Sequence, residues 1–319
     1  MNPAQPRIVT LKASSQHRKL RQRLHLAPTI AARRFTFPVR NPLGWYTLQQ
    51  HCLTWFEVIG YTVLLQSDID GVRHPVQRYS NSEVILRDRL LKALQRINPT
   101  IPLSAIAKTI SELTAKNNCL LIENNRRCHK LLTDGINITY PKDGQIVNDQ
   151  LWLLDSSNLH NNDWLVIHPC TVIEGNYTHN LDVVVFINGI PLAVIVWTEP
   201  NNQKATLKQV YQRLQNYKQQ IPTLFTYNAC VVIACGSQAR VGTLTSDWQE
   251  FLPWRTIDGE DFPATGETEL EIVIQGIFDK RRFLELVKHF IVFEQKQANL
   301  NKKLLRHPFC TRPNRFCCD

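Results

Sequence analysis

A chain of 319 residues with 43% apolar side chains carries enough hydrophobic surface for one large domain or two average ones. It has no uncharged apolar run of about 18 residues, which argues against a helical membrane span. Nine cysteines without C-x-x-C spacing point to free thiols in a reducing compartment, not to a disulfide framework or a zinc finger.

The formal charge of +10 is unevenly spread. Residues 1–40 carry nine Lys/Arg and no Asp or Glu, so the other 279 residues sit at about +1 (10 − 9). This arm has three readings: a disordered DNA-binding tail, a transit-like peptide, or translation from a start codon set too far upstream. Its composition favours disorder and no part in the fold.

After the arm, 48–59 has a helical apolar pattern and 61–65 reads as a short strand. Ser82 is placed to cap a helix with Ile85, Leu90, Leu91, Leu94 and Ile97 on its apolar stripe, ending before Pro99. Further helices are expected over 104–113 and 118–132, the second stopping at Asp134-Gly135. From 136 the period changes to that of strands, at 136–140, 150–155 and 164–168. The run VVVFINGIPLAVIVWTEP (183–200) then reads as two apolar strands joined at Asn188-Gly189, a dipeptide suited to a tight hairpin turn. A helix over 202–220, strands at 229–235 and 240–244, a polar acidic loop around 258–271 and one amphipathic helix over 275–293 complete the pattern. The fold class is α/β, a mixed sheet flanked by helices with an N-terminal helical layer. The expected divisions are 1–40 (arm), 41–117 (N-terminal helical part), 118–257 (core), 258–295 (loop and C-terminal helix) and 296–319 (tail).

An acid at the mouth of a hairpin, here Asp182, is half of a site for a hard cation. Phosphodiester hydrolysis also needs a second carboxylate and a group that orients or deprotonates water. An acid and a lysine two residues apart on the returning strand would share a face. Val196 and Thr198 occupy such positions. A three-residue turn sets Asp182 opposite Val196, whereas a two-residue turn shifts the register by one.

Residues from about 83 to 294 resemble the N-terminal nuclease region of the R (restriction and motor) subunit of type I restriction enzymes. The resemblance is carried by ENNRRCHKLLTDGI (123–136), HNNDWLVIHPCTVIEGN (160–176), LDVVVFINGIPLAVI (181–195), LQNYKQQIPTLFTYNACVVIACG (214–236), LPWRTIDGE (252–260) and FDKRRFLELVKHFIVFE (278–294). It implies a restriction-endonuclease-like PD-(D/E)xK fold and an Mg²⁺-dependent, ATP-driven endonuclease acting on DNA with modification and specificity subunits in a prokaryotic cytoplasm. In the family pattern Asp182 is the acid and Tyr217 the helix tyrosine. The glutamate falls on Val196, the lysine on Thr198 and the glutamine on Arg213, so three of the five functional positions are substituted. Impaired or absent cleavage is therefore expected; the alternative is a non-catalytic remnant that binds DNA or a restriction complex. No G-x-x-x-x-G-K-[ST] occurs, so no ATP site is expected in this chain.

Two acids are candidates to replace the missing ligand. Glu199 follows Thr198 but falls on the other face by strand alternation; Glu174 precedes the hairpin in a turn beside Gly175. Lys204, Lys208 and Arg213 form a basic helix face suited to DNA phosphates or simply to solvent. His129 and His168 sit within apolar patterns and read as structural residues. His307, Cys310, Cys317 and Cys318 match no usual zinc spacing. NKKLLRH (301–307) resembles the entry to the family's motor domains and PFCTRPNRFCCD departs from it, as expected of a reading frame cut short. Nucleotide sequence downstream decides that point.

Overall fold

The computed structural model describes residues 48–66, 80–115, 119–198, 206–257, 268–297 and 299–305. The basic arm, Glu199, Lys204, His307 and the three C-terminal cysteines lie outside them. The described residues belong to one compact unit beginning at Thr47.

Six strands make the central sheet, in the order β1 (Thr62–Leu65), β4 (Trp164–His168), β7 (Val183–Ile187), β8 (Ile190–Thr198), β9 (Cys230–Cys235), β10 (Gln238–Gly242). β1 runs parallel to β4 and β8 parallel to β9, while the β4–β7, β7–β8 and β9–β10 pairs are antiparallel. The parallel step from β8 to β9 needs a crossover, supplied by helix α5 (Leu207–Gln220), which lies against both strands. Helix α1 (Leu48–Val58) packs on β1 and on α6 (Glu269–Ile277), and α6 reaches β10 at the other edge. Helices α2 (Arg87–Ile97) and α3 (Leu103–Leu113) pair with each other, and α4 (Leu121–Asp134) packs against α7 (Lys280–His289).

All of β7 and eight of the nine residues of β8 are buried. This is why both strands read as continuous apolar runs instead of alternating ones: helices and neighbouring chain cover both faces. Each fully buried Val, Ile or Leu there contributes about 1.5–3 kcal/mol, so the hairpin is a large part of the core.

Its turn is itself buried. Asn188 (φ +54°) and Gly189 (φ +77°) both adopt the left-handed region, and Asn188 has no exposed surface. The Asn188 amide donates to the Leu153 carbonyl (2.8 Å) and to Asn162 Oδ1 (2.9 Å), and its Oδ1 accepts from the Asp163 N–H (2.7 Å). At Gly189 the carbonyl accepts from Leu86 N–H at 2.9 Å, and a Cβ would lie 2.5 Å from the Leu86 carbonyl oxygen. Only glycine fits there.

Several sequence expectations are corrected. Ser82 pairs with Ser80 and does not cap α2, whose N-cap, Leu86, makes no side-chain bond. The strand expected at 150–155 is Gln145–Leu151 (β3), paired with Ile136–Lys142 (β2). The single helix expected over 275–293 is α6, α7 and then a strand, β11 (Ile291–Lys296). The Asp279 carboxylate restarts the helix by accepting from Arg282 N–H at 3.2 Å. Two hairpins were unforeseen: β5 (Cys170–Glu174) with β6 (Tyr177–Leu181), and β11 with β12 (Asn299–Leu304). In β12, Lys302 is 1% exposed; its ammonium donates to Asn125 Oδ1 (2.9 Å) and to the Asn228 carbonyl. β12, which lies beyond the boundary expected at 296, is thus tied into the core.

Candidate active site

The site lies at the open end of the β7–β8 hairpin, opposite the Asn-Gly turn. The turn has two residues, closed by Ile187 facing Ile190, which alone would misalign Asp182 and Val196 by one. A bulge corrects this. Phe186 faces Pro191, Leu192 is the extra residue, and from Val185–Ala193 onward the pairing runs to Val183–Ile195. One further step brings Asp182 opposite Val196. The sequence expectation tied this register to a three-residue turn; a two-residue turn plus a bulge achieves it instead.

Around Asp182 the groups converge closely. Its Oδ2 accepts from the Trp197 N–H (2.9 Å) and from Arg213 Nη2 (2.7 Å), and the same Nη2 donates to the Trp197 carbonyl. On its backbone side the Asp182 carbonyl accepts from His168 Nδ1, which fixes the imidazole proton on that nitrogen, since a carbonyl has none to give. The His168 ring stacks on Trp197, centroids 5.5 Å apart. Val196 is fully buried and pairs in parallel with Ile233 of β9, while Thr198, half-buried, ends β8 opposite Cys235.

Helix α5 delivers Arg213 and Tyr217 one turn apart on one face. Its start is fixed by a reciprocal cap. Thr206 Oγ1 accepts from Gln209 N–H (3.3 Å) and Gln209 Oε1 accepts from Thr206 N–H (3.1 Å). Leu207, Val210, Leu214 and Tyr217 form the buried stripe. Burial pushes the Tyr217 phenol above its ordinary range; Arg213 opposes the rise and the Asp182 carboxylate adds to it. The phenol therefore stays protonated at neutral pH. Its ring meets His179 of β6 at 4.9 Å, and His179 Nε2 bonds Gln220 Oε1 at 2.6 Å. Behind the site, burial and then the Asp182 carboxylate push the Cys52 thiol of α1 up, keeping it neutral.

The sequence-predicted residues thus divide. Asp182, Val196, Arg213 and Tyr217 come together. Glu174 does not join them: its carboxylate accepts from the Thr223 N–H (3.0 Å) and hydroxyl. Lys208 is exposed on α5. Of the two histidines set aside as structural, His129 packs on Phe293 at 5.4 Å, but His168 holds the Asp182 backbone and belongs to the site's frame. Trp197 was missed because its backbone, not its side chain, makes the polar contacts.

This frame has a counterpart among known proteins. A family model described as "Type I restriction enzyme R protein N terminus" matches residues 46–250. The chain belongs to that family. It is 26% identical over 251 residues to the type I restriction enzyme HindI endonuclease subunit of Haemophilus influenzae, covering 78% of this chain and 24% of that protein. It is 24% identical over 271 residues to the putative type I restriction enzyme MjaIXP endonuclease subunit of Methanocaldococcus jannaschii, covering 79% of this chain and 26% of that one. The chain therefore spans about a quarter of the length of these curated relatives. The mixed sheet with flanking helices is the restriction-endonuclease-like architecture expected of a type I R protein N terminus. Among the described residues no helix is long and apolar enough to cross a membrane.

Proposed function

We propose that this chain is a type I R-subunit nuclease-like region whose hydrolytic chemistry has been lost, with DNA as its ligand in a prokaryotic cytoplasm. The observation that carries the reading is the register. It sets fully buried Val196 across from Asp182, with Thr198 two residues on along the same face. A valine has no lone pair for a cation, and a threonine brings no charge to a phosphorane-like transition state. Among the described residues no group of three or more His, Cys, Asp or Glu side chains gathers. Groups that act as a unit lose orders of magnitude when one is removed, and here two positions on one strand have changed.

The described residues at the hairpin mouth do not fit a catalytic Mg²⁺. What the chain's own groups do is bind and orient. His168 and Trp197 fix Asp182, and α5 holds a half-exposed Arg213 and an exposed Lys208 beside it. That exposed basic edge favours a second reading, a non-catalytic contact with DNA or with the modification and specificity subunits of a restriction complex. Each cation on DNA would add a sequence-independent, salt-sensitive phosphate contact.

The test is incubation of the purified chain with supercoiled plasmid in Mg²⁺. The expected result is intact plasmid, with or without Asp182→Ala. Linearisation that Asp182→Ala abolishes would overturn the reading.

A further inference from the structure

The Asp182 carboxylate and the Trp197 carbonyl are contributed by neighbouring segments at the hairpin mouth, yet both oxygens point at one atom, Arg213 Nη2. Convergent carboxylate and backbone carbonyl oxygens are what a hard divalent cation collects. We infer that Arg213 is a built-in cation standing where a divalent ion would sit, so that the site keeps its geometry without metal. This rests on the reading of Asp182 as the former metal position and deepens it. On this inference a side chain occupies the cation's place, besides the loss of the ligand positions at Val196 and Thr198.

A second ion pair shows how an ordinary one differs. Arg89 Nη1 contacts both oxygens of one carboxylate, Asp163, at 3.0 and 2.8 Å. Arg213 instead bridges an oxygen from the chain before β7 and one from β8, joining the two arms of the hairpin as an ion would. Its Nε is buried with no hydrogen-bond partner. The guanidinium has thus been drawn in to serve these two oxygens at the expense of its own donor capacity. A guanidinium remains charged at all working pH values, so the substitute cation cannot titrate away. A divalent ion would have to displace it while gaining no ligand from valine.

Isothermal titration of Mn²⁺ into the full chain tests this, using wild type, Asp182→Asn, Arg213→Gln and the double variant Arg213→Gln/Asp182→Asn. Wild type and Asp182→Asn are expected to show no saturable site. Arg213→Gln, which removes the charge and keeps a helix-forming polar residue, is expected to gain one. The gain should raise Tm by about 3 °C when Mn²⁺ reaches about ten times Kd, and the double variant should lose it. Near-UV circular dichroism checks that Arg213→Gln is folded; a folded Arg213→Gln that gains no Mn²⁺ overturns the inference. So does Asp182-dependent Mn²⁺ binding by wild type, which needs no Arg213 variant to fold. Asp182-dependent Mn²⁺ binding by wild type without plasmid cleavage would sink this inference and leave the proposed loss of hydrolysis standing; cleavage by wild type would sink that proposal.

Discussion

The two ends of the β7–β8 hairpin are built to different standards. At the turn, Asn188 and Gly189 make a closed set of hydrogen bonds to Leu86, Leu153, Asn162 and Asp163, with no exposed surface at Asn188. At the mouth, an acid meets a valine, and a guanidinium with an unpartnered Nε spans the gap. The turn end depends on backbone geometry, which the whole fold enforces. The mouth depends on side-chain chemistry, which on the proposed reading the fold tolerates losing. A scaffold and its reaction are therefore separable, and substitutions at the two ends should differ in what they damage.

The largest effect is expected at the turn. Gly189→Ala places a methyl 2.5 Å from the Leu86 carbonyl oxygen on a backbone with φ +77°. A loss of about 3 kcal/mol or more is predicted, read by urea denaturation. A loss under about 1 kcal/mol would show that the turn end is softer than its hydrogen bonds imply.

The second effect sharpens the comparison with a cation that lacks a carboxylate. Burial pushes Lys302 from 10.5 down to about 7, with Cys230 opposing, and Lys218 down to about 8. Both lysines bind a proton more tightly when unfolded, so stability should rise as pH climbs from about 7 toward 9, by on the order of a few kcal/mol. Burial pushes Cys230 from 9.0 to about 12, with Lys302 opposing. Above about pH 9 the unfolded thiol ionises first, which offsets one lysine's contribution and should slow the rise. Lys302→Met should flatten most of the rise in denaturation midpoints measured across that range; an unchanged slope would discard Lys302 as its source.

A smaller change is expected at the mouth. Arg213→Ala should cost about 1 kcal/mol or less, because the Asp182–Arg213 pair is 22% and 40% exposed and partly screened. Smaller still is Lys208→Glu, which should leave stability within about 0.5 kcal/mol. If the basic edge contacts DNA, it should also weaken retention of duplex at low salt and lower the salt slope by about one or two.

Much of the architecture was legible because its causes are local. The hairpin showed through β-branched crowding and Asn-Gly, and α2, α3 and α4 through apolar stripes. The helix expected over 275–293 was misread because Ile277, Phe278, Phe283, Leu286 and Val287 keep an apolar rhythm across the break. The signal that could have split it was Asp279, an N-cap residue in mid-pattern. Strands β5 and β6 were missed although Glu174-Gly175-Asn176 marks their turn, with Gly175 at φ +57°. Lys302 was invisible in principle: nothing in NLNKKL says which lysine turns inward. At the site, sequence placed Asp182 against Val196 only conditionally, because a bulge at Leu192 leaves no compositional mark. Arg213 meets two oxygens brought together by that bulge, an arrangement that its place in the sequence does not show.

Plasmid nicking in Mg²⁺ by restored chains tests whether three substitutions removed the chemistry from an intact frame. No nicking is expected from wild type or from Val196→Glu/Thr198→Lys, where Arg213 still fills the ion's place. Nicking is expected from Val196→Glu/Thr198→Lys/Arg213→Gln and should disappear on adding Asp182→Ala. Nicking by wild type, equal nicking by the double and triple variants, or a folded triple variant that leaves plasmid intact would contradict that removal.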